Sequence, residues 1–331
     1  MKFLLTADIH CSDHPKDSYR FLLFKWLAKQ QEIYKADALF VLGDLVTAKD
    51  YHSSILINKI IDGLKMLKPP VFVLRGNHDG IDPTLPYFRF LNHMAGITFC
   101  IEPTLFENYK VMMIPHQLNQ TALDKALKTV PDGWLAMLHQ TISGAQSETG
   151  ARLTGLALPP NKAKRILSGD IHVPQMLDCP NGTVIYIGAP YHVRFGDNFT
   201  PRILLLDGEH KLHDLHFKAP RKLSLTIRDI SELRDIQAGD QVKINLELAR
   251  SEAVEWANHK KSILDYCKGK GVEVYGTELK VAQARKRQRL DDTPTNRSNL
   301  DYFKAFCAAE QVPGNIKAVG LQLVESGGSN G

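Results

Sequence analysis

The residues best suited to chemistry in this chain fall into five short clusters. Asp8 and His10 stand as D-x-H, Gly43-Asp44 follows as a pair, and Gly76-Asn77-His78-Asp79 forms a third group. His139 stands alone, and Gly169-Asp170-Ile171-His172 repeats the D-x-H spacing. Together they offer carboxylates, imidazoles and one amide carbonyl, without a thiolate. Such mixed oxygen and nitrogen donors suit manganese, iron or zinc rather than a soft-metal site. There are more donors than one ion needs. Asp44, in the middle of the set, is placed to bridge two ions about 3.5–4 Å apart, the spacing used for phosphoester hydrolysis.

Each cluster follows a short apolar run. Residues 2–7, 38–42 and 71–74 are predicted strands, while 17–35 and 55–67 carry apolar residues at helical spacing, Phe21, Phe24, Leu27 and Ala28 among them. This β-α-β-α-β start predicts parallel strands with helices packed outside. Ligands bind at the carboxyl ends of strands in such sheets, so clusters over thirty residues apart converge on one edge. Alternation along an extended segment predicts that Asp8 and His10 project to one side. Gly43, Gly76 and Gly169 are read as the residues that permit the tight turns there. His139 ends a predicted strand at 134–138, and Asp170 follows one at 165–167. With further strands at 110–114, 184–187 and 203–206, a second sheet is expected to stack on the first.

A boundary is placed near Pro220. Beyond it, predicted strands at 223–227, 242–246 and 272–275 and a helix at 252–267 make a small α+β domain. The run 280–289 holds Lys280, Arg285, Lys286, Arg287 and Arg289 and no acidic residue. It reads either as a solvated helix face or as a grip on phosphates, in which case binding falls as salt rises. A helix around 300–309, with Leu300, Phe303 and Phe306 at helical spacing, and a flexible SGGSNG tail complete the chain. The expected division is 1–219, 220–279 and 280–331.

Composition narrows the class further. At 331 residues with 44% hydrophobic and 23% charged side chains, the chain is neither collagen-like nor disordered and can bury a core without staples. A net charge of +5 permits a polyanionic partner without demanding one. The five scattered cysteines form no C-x-x-C pair, which argues against a disulfide scaffold and suits a reducing cytoplasm. Asp8 and His10 interrupt the N-terminal apolar run, so no secretory signal is expected, and no stretch approaches a membrane span.

In this order, D-x-H, G-D, G-N-H-D, a lone His and a G-x-x-H element resemble the calcineurin-like metallophosphoesterase superfamily. The resemblance implies an α/β (α+β) fold: a two-sheet β-sandwich flanked by helices, with two divalent metal ions at the strand ends. Manganese is expected, with magnesium, iron or zinc as alternatives. Carried over, Asp8, His10, Asp44 and His172 hold one ion, and Asn77 and His139, with Asp44 bridging, hold the other. His78 is implied to be no ligand but the catalytic group that contacts the phosphate and protonates the leaving oxygen.

Within the superfamily, SGDIHVPQ and IGAPYHVRFGD resemble signatures of the SbcD-like DNA-repair nucleases, and the segment after Pro220 resembles their capping domain. Protein Ser/Thr phosphatases fit less well, because this chain has GDLVTAK and GNHD where they have G-D-x-V-D-R-G and a terminal Glu. The likeness implies a cytoplasmic DNA exonuclease and endonuclease, homodimeric within a heterotetramer with an SbcC-like ATPase, and no membrane partner. ATP would belong to that partner, since G-x-x-x-x-G-K-[ST] is missing here. The compact cap and Asp170 would fit a virus-encoded member, working in a host cytoplasm. Small phosphoesters or cyclic nucleotides are the alternative substrates, and a non-catalytic scaffold the alternative role. Two positions depart from the pattern. Asp170 stands where a His usually ligates the second ion: either it serves as an oxygen donor and favours a harder ion, or the position is vacated and the second site weakened. Thr47 replaces a substrate-facing His or Asp. The remaining histidines, His116 and His192 included, are read as surface or packing residues, with His192 the nearest to the site.

Overall fold

The structure is a computed structural model describing residues 1–82, 85–249, 251–281, 303–304, 306–308, 312 and 314–327. Residues 1–282 form one compact unit and 283–331 a second. The first unit opens with strand β1 (Phe3–Thr6), helix α1 (Leu22–Tyr34), strand β2 (Ala38–Leu42), helix α2 (Ser54–Lys65), and strands β3 (Val71–Leu74) and β4 (Ile97–Cys100). These four strands run parallel, in chain order. Strand β1 also pairs antiparallel with β11 (Ile203–Leu206), which carries β12 (Leu212–Leu215) at the sheet edge. Both faces of the parallel strands are covered, which is why β1, β2 and β3 read as unbroken apolar runs. On one face, α1 lays down Leu23, Phe24 and Leu27 and α2 lays down Leu56, Ile60 and Leu64. Each such burial contributes about 1.5–3 kcal/mol.

The opposite face meets a second six-stranded sheet. Its strands are β5 (Thr104–Phe106), β6 (Val111–Ile114), β7 (Leu135–His139), β8 (Arg165–Gly169), β9 (Gln175–Cys179) and β10 (Gly182–Tyr186), in the order β5-β6-β7-β8-β10-β9. Phe3, Leu5, Phe40 and Phe72 of the first sheet share a core with Met113, Met137, Leu167 and Ile185 of the second. Helix α3 (Gln120–Lys128) covers the outer face with Leu123 and Leu127, its N-terminus capped by the Asn119 side chain.

The two stacked sheets with flanking helices are those expected from the sequence. The elements passed over there are β4, β5, β9, β12 and α3. The edge strands β9 and β12 hold only half-buried and exposed residues and bury no full apolar face, so their sequences lack the run that marks the central strands.

A third sheet follows, with parallel strands β13 (Lys222–Ile227), β14 (Gln241–Leu248) and β15 (Glu273–Val281). Helix α4 (Trp256–Gly269) packs Ile263 and Cys267 against Ile244 and Leu246. Lys222 Nζ ties this sheet to the sandwich at 2.8 Å from Asp17 Oδ1, and Gln241 Nε2 donates to Lys16 O at 2.8 Å. Of the basic run, Lys280 lies on β15. Arg285, Lys286, Arg287 and Arg289 lie outside the described residues, as does much of the helix expected at 300–309. The second unit contains a helix at Gly314–Gly327 that the sequence reading does not include. Among the described residues, no helix is long and apolar enough to cross a membrane.

Candidate metal centre

Five chain segments leave the carboxyl ends of β1, β2, β3, β7 and β8 and deliver the five clusters to one place. The loops after β1 and β2 stay paired beyond their strands: Asp8 N donates to Gly43 O, His10 N to Asp44 O and Cys11 N to Leu45 O. Asp8 and His10 do not converge by simple alternation. Asp8 (φ 53°), His10 (φ 47°), Asp44 (φ 55°) and Asp170 (φ 79°) all occupy the left-handed region, so a kink at each donor turns its side chain inward. Asp79, the last residue of G-N-H-D, acts as the tie. Its carboxylate accepts from the amides of Asp44, Leu45 and Gly76 at 2.7–3.0 Å, locking the turns after β2 and β3 together.

The motif glycines differ in their reasons. Gly43 has φ 85°, the turn role expected of it. A Cβ there would also lie 2.1 Å from His139 Nδ1, whereas Gly76 and Gly169 are places of close approach alone. A Cβ on Gly76 would lie 2.2 Å from Asp44 Oδ1, and one on Gly169 2.2 Å from Leu42 O.

The donors divide into two overlapping groups. His10 Nε2 faces His172 Nε2 at 3.1 Å and Asp44 Oδ2 at 3.5 Å. Asp8 joins them, with ligand atoms of Asp8, His10 and His172 all within 4.8 Å of one another. In the second group, His139 Nε2 faces Asp44 Oδ1 at 3.3 Å, Asn77 Oδ1 at 3.4 Å and Asp170 Oδ1 at 3.7 Å. The structure thus brings together Asp8, His10, Asp44, Asn77, His139, Asp170 and His172, with Asp44 between the groups. His78 is at the same cleft. Its ring lies within ligand range of His10 and Asp44, but its Nδ1 is taken by Thr47 O at 2.7 Å.

These residues fit divalent cations on chemical grounds. His10 Nδ1 faces Val46 O and His139 Nδ1 faces Leu42 O, so each of these nitrogens carries the proton and each Nε2 presents a lone pair. His139 then aims a lone pair at three oxygens, an arrangement that only a cation or an extra proton makes favourable. One oxygen of Asp8, Oδ2, is buried with no hydrogen-bond partner among the described residues. With protons alone to balance the cluster, burial pushes Asp8 up to about 7 and His10 down to about 3. Burial opposes a charged His139, yet Asp44, Asp170 and Asp8 hold it well above its ordinary value. Burial likewise opposes a charged Asp44, but His139, His10 and His78 pull its carboxyl below the usual range. Burial, with the like charge of Asp44, raises Asp79 to about 6.

Several further residues here were not assigned a role in the sequence. Glu148 and Arg194 line the cleft of about 270 Å³ over the donors, together with Asn77, His78 and Asp170. Arg20 is buried beneath and donates to His10 O and Val193 O, and Tyr191 donates to Ile9 O. Of these, Tyr191 and Arg194 lie within IGAPYHVRFGD. The Thr47 hydroxyl turns away from the cleft to His10 O, while its carbonyl orients His78. His192 meets Phe199 O and the Lys222 amide with its two ring nitrogens, a packing role. The His116 ring lies 6.4 Å from that of His139, with a buried Nδ1 that has no hydrogen-bond partner among the described residues.

The sequence profile of the calcineurin-like phosphoesterases matches residues 1–174, over half of the chain. The chain belongs to this family of metal-dependent phosphoester hydrolases. No curated protein sequence matches it. Among solved structures, a novel archaeal phosphodiesterase is similar at 16% identity, covering 65% of this chain and 99% of that one with a TM-score of 0.36. Nuclease MPE of Pseudomonas putida is similar at 18% identity, covering 64% and 87% with a TM-score of 0.32. GAP50 of Plasmodium, the anchor in the inner membrane complex, is similar at 12% identity, covering 67% and 90% with a TM-score of 0.40.

Proposed function

We propose that this chain is a dinuclear-metal-dependent phosphodiesterase acting on DNA, releasing nucleotides from duplex ends and nicking single strands. The observation that carries the reading is the position of Asp44, with one carboxylate oxygen toward His10 and the other toward His139. Asp8, His10, Asp44 and His172 would hold one ion, and Asp44, Asn77, His139 and Asp170 the other. Bound there, divalent ions, manganese first, supply Lewis acidity and lower the pKa of a water beside the phosphorus.

The chain's own residues account for the rest. The His78 amide donates to Asp44 Oδ1 at 2.9 Å, tying the acid to the shared carboxylate. Thr47 O holds His78 Nδ1, which leaves Nε2 to meet the substrate. A proton given from Nε2 to the leaving 3′ oxygen leaves the neutral ring in the tautomer that Thr47 already supports. Thr141 donates to Asp170 Oδ2, which leaves Oδ1 turned to His139. Support for DNA as substrate comes from the likeness of SGDIHVPQ and IGAPYHVRFGD to the SbcD-like nucleases and from the small α+β domain after Pro220. The same likeness supports a homodimer working with an SbcC-like ATPase in repair and recombination.

The test is hydrolysis of end-labelled duplex DNA, with bis-p-nitrophenyl phosphate in parallel, in manganese and then in chelator. Manganese-dependent shortening of the DNA, lost in His78→Ala, is the expected result. Cleavage of the small diester alone would overturn DNA as the substrate.

A further inference from the structure

His172 differs from every other imidazole of the centre in what holds its second nitrogen. His10, His78 and His139 each turn Nδ1 to a backbone carbonyl, those of Val46, Thr47 and Leu42. His172 Nδ1 instead lies 2.9 Å from the carboxylate oxygen Oε1 of Glu148, a close ion-pair contact that is not in line for an ideal hydrogen bond. Glu148 belongs to no strand. It sits in the loop between β7 and β8, a segment too long to be placed by strand geometry alone.

That loop is folded and pinned. Within it, Leu153 N donates to Ala145 O at 2.7 Å and Ser147 N to Ala151 O at 2.9 Å, closing a small hairpin around Glu148. Its anchor is Gln175, three residues beyond His172. Gln175 Nε2 donates to Gln146 O and Gln175 Oε1 accepts from Gln146 N, both at 2.8 Å. Gln175 is the last residue of SGDIHVPQ, and the mechanism above gives it no task. The segment that carries the ligand therefore also clamps the loop that steers it.

We propose that Glu148 and Gln175 are positioning residues of the metal centre. Gln175 fixes the loop, and Glu148 holds the His172 ring with Nδ1 protonated, so that Nε2 presents its lone pair beside His10. The inference rests on the metal-centre reading and adds to it the two residues that set the ring. A carboxylate behind a ligating histidine fixes its tautomer and raises its basicity, and losing it lowers metal affinity roughly 10–100-fold.

The experiment is manganese affinity by titration calorimetry for the intact wild-type chain and for Glu148→Ala, Glu148→Gln and Gln175→Ala. Each variant's melting temperature in chelator is recorded beside it. Glu148→Ala should weaken binding of one ion roughly 10–100-fold with little change in the metal-free melting temperature. Glu148→Gln, whose amide oxygen can still accept from Nδ1, should recover part of the loss, and Gln175→Ala should show a smaller one. Unchanged affinity in Glu148→Ala would overturn the proposal, as would a loss that merely tracks a lower metal-free melting temperature. A wild-type chain that binds no manganese would overturn the metal-centre reading itself, an outcome that the variants do not share.

Discussion

The two halves of the donor cluster are built from different atoms. Around Asp8, His10 and His172, two imidazole nitrogens face each other at 3.1 Å, with Asp8 Oδ2 buried beside them and unpartnered among the described residues. Around His139 the company is oxygen: Asp44, Asn77 and Asp170 at 3.3, 3.4 and 3.7 Å. The nitrogen-rich half suits borderline ions such as zinc or iron as well as manganese, whereas the oxygen-rich half favours a harder ion. Asp170 is the residue that makes the difference. With ions bound as proposed, one side-chain type at one position would thus separate two sites that a single carboxylate joins.

The largest expected effect erases the comparison altogether. Asp44→Ala removes the shared ligand, so both halves should lose their ion, and diester hydrolysis should fall by about 10³-fold or more. Metal analysis of the purified variant alongside the rate checks both. Next comes His78→Ala, expected to lower kcat roughly 10²- to 10⁴-fold while manganese content stays at the wild-type level. What His78 gives Asp44 is a backbone amide, which the substitution keeps. A variant that loses metal would instead make His78 a ligand.

Asp170 sharpens the contrast directly. Asp170→His should move the second half toward zinc in a mixed loading of zinc and manganese measured by mass spectrometry. If both halves keep the wild-type ratio, the oxygen donor does not set the choice.

A stability effect follows from the close approach at Gly76. Gly76→Ala places a Cβ against Asp44, and should cost about 1–3 kcal/mol, read as a lower melting temperature.

A pH effect, confined to the alkaline range, lies in the apolar core. Burial pushes the Cys100 thiol up to about 12 from an ordinary 9.0. The unfolded thiol ionises first, so its contribution to stability should fall as pH rises from about 9 toward 12. Cys100→Ala should flatten that alkaline slope in a series of urea titrations.

Much of this centre was legible in the sequence because its donors are tied to strand ends. An apolar run followed by Gly-Asp or Gly-Asn-His-Asp announces both the strand and the residue it delivers. Legibility failed where placement depends on tertiary contact. Glu148 reaches the cleft from a loop without periodicity, Arg194 sits inside IGAPYHVRFGD without a spacing that marks it out, and Arg20 acts from a 3₁₀ segment whose sequence shows only an amphipathic helix. Asp79 reads as the end of a motif, yet its three amide contacts span two strands. The motif glycines were visible, but at Gly76 and Gly169 the need is for space, which depends on what lies opposite. The edge strands β9 and β12 escaped for a related reason: half their residues face outward, so the pattern is too polar to mark them.

The four left-handed donors have a consequence beyond the reaction. Asp8, His10, Asp44 and Asp170 each hold a backbone conformation that costs on the order of 1 kcal/mol for a residue with a side chain. Against a folding free energy of about 5–15 kcal/mol, that is a sizeable fraction. An ion that binds only the folded chain offsets it, by about 2.7 kcal/mol at a concentration one hundred times its dissociation constant. In a living cell, unfolded protein is removed by proteases. The supply of divalent ions would then govern the protein's lifetime, and so its abundance, as well as its rate.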